Sequence, residues 1–140
     1  RPLHSVTLSQ YARLAQDARE TQIFRTGDER WAIVNRGYSR TLRMPANFAK
    51  RISMQNSRGI TGWAIKDDVA YIHTDGSPVV TIALASKPIT EQVRLVSSTA
   101  DIIFTELSNQ QIVFTCKDLR DIEVVLAGLS PQSRYVAAAQ

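Results

Sequence analysis

Apolar side chains recur at a spacing of three and four over the first twenty positions: Leu8, Tyr11, Ala12, Leu14, Ala15 and Ala18. That is the period of one helical face, and Thr7 followed by Gln10 forms a capping-box pattern ahead of it, so a helix is predicted over 8–20. The period then shortens. Gln22–Thr26 and Arg30–Asn35 flank Gly27-Asp28 and read as a β-hairpin; Arg36-Gly37 turns the chain into a third strand, Tyr38–Met44. Pro45 suits the first turn of a helix whose apolar stripe is Phe48, Ala49 and Ile52 and which Gly59 ends.

Three more strands are predicted, Ile60–Lys66, Val69–His73 and Val79–Ala85, with turns at Asp67-Asp68 and Asp75-Gly76-Ser77-Pro78. Beyond Pro88, the residues Ile89, Val93, Val96, Ala100, Ile103, Phe104 and Leu107 suggest a long helix over 89–107, weakened at Ser97-Ser98-Thr99. A strand over 111–116 and a helix over 119–127, capped by Asp118 and ended by Gly128, complete the order; the tail 131–140 is expected to be a short helix or frayed. The resulting fold class is α+β: a mainly antiparallel sheet of two three-strand meanders with helices at the N-terminus, in the middle and at the C-terminus. The expected core includes Leu14, Ile33, Ile65, Ile82, Phe104 and Val125.

A length of 140 residues suits a single domain, 1–140, and 44% hydrophobic with 21% charged residues is the composition of a globular chain. Neither a disordered nor a collagen-like class fits. No apolar run approaches the ~20 residues that span a bilayer; the richest are Val79–Ala85 and Val124–Leu129. Arg1–Gln10 has no charged-then-apolar leader, and Cys116 stands alone in an apolar run, where it serves as a small hydrophobe. Both point to a cytoplasmic setting.

Charge changes the picture more than composition does. The net charge is only +4, yet all thirteen acids lie outside residues 30–66. That window holds Arg30, Arg36, Arg40, Arg43, Lys50, Arg51, Arg58 and Lys66, with Trp31, Tyr38, Phe48 and Trp63 interleaved. Guanidinium forks grip phosphates and aromatic faces stack on bases, so Arg36, Arg40, Arg43, Lys50, Arg51, Arg58, Tyr38 and Trp63 are the candidate nucleic-acid-binding residues. The competing reading makes the aromatics core and the arginines a solvated face lying over it. Strand alternation sets Tyr38, Arg40 and Leu42 on one side and Arg43 on the other, which breaks a one-sided stripe.

Candidate chemistry is sparse. His73 and His4 are the only histidines, and either would be the acid–base group if the chain cleaved RNA without a metal. The bland alternative is a strand-end histidine and one in a loose terminus. No metal site is expected: Asp67-Asp68 suits a turn, and Asp118, Asp121 and Glu123 suit a helix N-terminus. The six glycines are scattered, with no phosphate-cradling loop, and no cofactor is implied. Ser97-Ser98-Thr99 and Asp121-Ile122-Glu123 resemble two short elements of ADP-ribosyltransferases, at a spacing that leaves too few strands between them. Gly59–Leu107, with Thr61-Gly62, resembles the last strands of penicillin-recognising serine hydrolases, but Ile60 replaces their lysine and the chain contains no Ser-x-x-Lys.

The expected function is therefore a small non-catalytic binding module whose 30–66 face meets an anionic partner, DNA or RNA first. A protein–protein adaptor comparable to small secretion chaperones is the alternative, and a metal-independent ribonuclease or toxin domain a further one.

Overall fold

The computed structural model describes residues 8–34, 41–116, 121–132 and 134–136. In chain order these form α1 (Leu8–Glu20), β1 (Gln22–Gly27), β2 (Arg30–Val34), β3 (Thr41–Pro45), α2 (Ala46–Ala49), β4 (Ile60–Lys66), β5 (Val69–Thr74), β6 (Val79–Ala83), β7 (Arg94–Ser98), β8 (Ile102–Leu107), β9 (Ile112–Cys116) and β10 (Val124–Ala127). The architecture is mainly β, with ten strands in three sheets, and this overturns the α+β class.

Three helical expectations account for the difference. The segment 89–107 is not a helix but contains β7 and β8. Burial there follows a period of two: Val93 and Leu95 are buried, while Arg94 between them and Val96 after them are only half so. Val93, Val96, Thr99, Ile102, Ile103 and Thr105 are β-branched, and stiff side chains of that kind favour a pleated surface. The C-terminal helix gives way to β10, where Val124-Val125 pairs with Ser97-Ser98 of β7; residues 117–120 lie outside the described residues. The middle helix is the four-residue α2, which turns at Lys50 and Arg51 instead of running to Gly59.

Neither meander forms. β3 leaves β2 and pairs with β5, and β6 leaves β5 and pairs with β2. One sheet therefore has the order β1-β2-β6, the second β10-β7-β4-β5-β3, and β8-β9 is a separate hairpin. The described pairings are antiparallel except β4 with β7, which run parallel where Gly62 meets Leu95. That approach requires glycine, because a Cβ at position 62 would collide with the Leu95 backbone. The two-residue turn Asp67-Asp68 takes positive φ at both positions (52° and 61°), the primed geometry that matches strand twist. In the β1–β2 turn, Glu29 (φ 55°) takes the left-handed conformation expected of Gly27.

The core lies between the two larger sheets. Ile33, Val80 and Ile82 come from one, Trp63, Ala70 and Ile72 from the other, and Ala49 and Ile52 from α2 and the turn after it. Residues 52–58 run along the free edge of β6, bridging Ile52 to Leu84 and Arg58 to Thr81, so the edge is covered and the sheets are joined. Ser57 Oγ accepts from Ala83 N at 3.0 Å, and Ser53 N donates to Ala83 O at 2.9 Å.

Of the expected core residues, Ile33 and Ile82 are buried and Phe104 is half-buried, stacked edge-on to Phe114 at 5.9 Å. Ile65 and Val125 are exposed, at 43% and 38%. The side chain of Leu14 is outside the described set. Ile82→Ala should cost about 2–5 kcal/mol, whereas Val125→Ala should cost under ~0.5 kcal/mol; chemical denaturation of the two variants checks the assignment.

Candidate anion-binding surface

Strand alternation builds the outer face of the five-stranded sheet. Ala70, Ile72 and Thr74 of β5 are buried, so Val69, Tyr71 and His73 face outward. Register places Arg43 of β3 opposite Tyr71 and Thr41 opposite His73. The Arg43 guanidinium lies 5.7 Å from the Tyr71 ring centroid, a cation–π contact on a half-exposed surface. On the other side of β5, His73 is opposite Gly62, so no side chain stands between the imidazole and β7. Its Nε2 meets the Val96 carbonyl at 2.7 Å, tying β5 to β7 across β4. One of the two ring nitrogens of His73 is thus engaged by a backbone oxygen. His4 lies outside the described residues.

The other residues of the basic window are not gathered on this face. Trp63 is turned inward and only 2% exposed. Arg94, from outside the window, covers it: the guanidinium is 4.6 Å from the ring centroid and Nη1 donates to Trp63 O at 3.0 Å. Burial lowers the pKa of Arg94 from its usual value. Arg51 is also committed. Its Nε donates to Ala85 O at 2.7 Å and its Nη2 pairs with Glu29 at 2.9 Å, joining the end of α2 to the segment after β6 and the β1–β2 turn. Arg58 stands on the strap of residues 52–58, its backbone paired with Thr81, and its side chain is exposed. Lys50 is exposed at the end of α2. Arg36, Tyr38 and Arg40 lie outside the described residues.

Ion pairing divides the cations into two groups. Arg25 and Arg51 are neutralised by Asp28 and Glu29, acids that sit just outside the window. Arg30, Lys50, Arg58 and Lys66 are exposed and hold no ion pair among the described residues. Sequence reasoning passed over Tyr71 and Arg94. The first was legible, since Tyr71 and His73 alternate with buried residues along one strand; the second was not, because its neighbour Trp63 is brought to it only by the β4–β7 pairing.

A concavity of about 460 Å3 lies between Met54, Ile60, Ile89 and the β8–β9 turn. Its central amide is already used: Gln92 accepts from Met54 N at 3.0 Å and donates to Ile52 O at 2.6 Å. Among the described residues no three His, Cys, Asp or Glu side chains are grouped so as to hold a metal ion. No helix among them is long and apolar enough to cross a membrane.

Comparison with protein-family models, with curated proteins and with solved structures finds no match to this chain.

The two groups of cations should separate in stability. Arg51→Ala removes charge-assisted hydrogen bonds from a part-buried position and should cost about 1.5–3 kcal/mol. Arg58→Ala should change unfolding free energy by under ~0.5 kcal/mol, measured in the same denaturant titration.

Proposed function

We propose that the protein is a non-catalytic binding module that contacts an anionic partner, nucleic acid first, through the acid-free segment 30–66. The observation that carries the reading is that Lys50 and Arg58 are exposed and without an ion-pair partner among the described residues, while the nearby acid Glu29 is taken up by Arg51. Arg43 adds a guanidinium held over Tyr71, where a planar fork is partly ordered before any ligand arrives. Arg36, Arg40 and Tyr38 belong to the same segment and to the same reading.

The aromatic role changes hands. Trp63 is enclosed and offers no face to a base, so Tyr71 is the aromatic assigned to that contact. Arg51 contributes by fixing the backbone on which Lys50 stands, rather than by meeting phosphate itself.

Each neutralised phosphate releases counterions, so log affinity for duplex DNA should fall with log salt by about 0.9 per contact. Replacing Arg43 and Lys50 together with Gln should flatten that slope by up to ~2 units. Lys87→Gln with Arg134→Gln, two exposed cations outside the segment, should leave it unchanged. Fluorescence anisotropy at several salt concentrations measures both. Equal losses from the two pairs, or no binding by the parent protein near ~150 mM salt, would overturn the proposal.

A further inference from the structure

The two sides of the Tyr71 ring have different neighbours. Arg43, Tyr71 and Ala64 stand opposite one another in register, one row across β3, β5 and β4 on the outer face of the five-stranded sheet. Arg43 holds its guanidinium over the ring from the β3 side, 5.7 Å from the centroid. The neighbour on the β4 side is Ala64, whose side chain ends at Cβ and leaves the ring standing above a low step. Opposed Cβ atoms lie about 4.5–5.5 Å apart, and paired aromatic rings have centroids about 4.5–7 Å apart. The step over Ala64 therefore has the width that a second planar ring needs beside Tyr71.

Charge flanks that step. Trp63 of β4 points into the core, so alternation sets Ala64 and Lys66 together on the outer face. Lys66 is opposite Val69, which places it diagonally from Tyr71, at roughly 7–8 Å by strand geometry. Arg43 and Lys66 are both exposed and hold no ion pair among the described residues. Tyr71 and Ala64 are half-buried. A planar group lying on Tyr71 thus has a cation on the β3 side and another on the β4 side.

The breadth of the sheet chooses between forms of nucleic acid. In a duplex the base faces are stacked on one another, and only base edges are open, in the grooves. Five strands at about 4.8 Å spacing span roughly 19 Å, whereas the major groove is about 12 Å wide and admits at most a two-stranded ribbon. Tyr71 stands one strand in from β3, on a face that lies across a groove and not within it. An unpaired base has no such restriction. We propose that this face binds single-stranded nucleic acid, with one unpaired base stacked on Tyr71 above Ala64 and the phosphates beside it met by Arg43 and Lys66. The inference rests on the anionic-partner reading and names the form of nucleic acid that the surface takes. A duplex meets the same cations through its phosphates alone and binds more weakly.

The test uses the full chain and four labelled probes of matched length: a single strand, its duplex, a strand of abasic sites, and a glutamate peptide. Fluorescence anisotropy at ~150 mM salt gives the affinities. The single strand, as DNA and as RNA measured separately, should bind at least about fivefold more tightly than each of the other three, the contribution of one stacked base. Tyr71→Leu should bring the single strand down to the affinity of the abasic strand, and leave the abasic strand where it was. Ala64→Leu, which fills the step and keeps the ring, should do the same. Tyr71→Phe retains the stacking face and should retain the preference, which separates lost stacking from lost folding. A duplex, abasic strand or glutamate peptide bound as tightly as both single strands would overturn the inference and leave the anionic-partner reading standing. So would a preference that survives Tyr71→Leu. Salt-independent binding, or no binding to any probe, would overturn both.

Discussion

The contact between Gly62 and the Leu95 backbone is the constraint on which the second sheet depends. A side chain at position 62 would hold β7 away from β4, and with β7 would go β10, which pairs with no other described strand. Arg94 would then leave Trp63, opening the largest buried ring of the core on one side. The Val96 carbonyl would move out of reach of His73. A single absent methyl group thus supports a strand pairing, a cation–π contact and a cross-strand hydrogen bond. Each is modest alone, but they share one geometric condition and so fail together.

The local signals in the sequence were read well where a short stretch decides its own structure. The amphipathic period of Leu8–Ala18, the Asp67-Asp68 turn and the alternation along Val69–Thr74 all depend on neighbours in the chain. What could not be read is which strand each strand chooses. β3 and β6 are patterned like ordinary hairpin partners of β2 and β5, and nothing within either segment says that they exchange places. The segment 89–107 differs for another reason: of the seven apolar residues on its helical stripe, Val96, Ile103, Phe104 and Leu107 also suit the two short strands in which they stand. β-branching was the deciding evidence, and helical spacing outweighed it in the reading.

The basic window shows the limit of charge counted along a chain. Residues 30–66 contain no acid, yet Arg51 is neutralised by Glu29, which stands one position before the window begins and reaches it through the fold. Trp63 is a candidate in the sequence because it is interleaved with the basic residues of the window; the sheet packing places it in the core. Arg43 and Tyr71, far apart in sequence, meet because β3 and β5 are neighbours. A surface is made of register as much as of composition, and register was the part of the structure that the sequence left open.

The exchange of β3 and β6 also governs the order in which the molecule can assemble. Every residue of β2 that pairs with β6 must wait until the whole of residues 35–78 has been made and brought back. Loop closure of that length is slow compared with hairpin formation, so β1–β2 is a two-stranded hairpin, only marginally stable alone, until β6 has been made. β4–β5, closed by a two-residue turn, has no such delay. Each of the two larger sheets therefore starts from a local hairpin, and the arrival of β6 is the step that completes the three-stranded one.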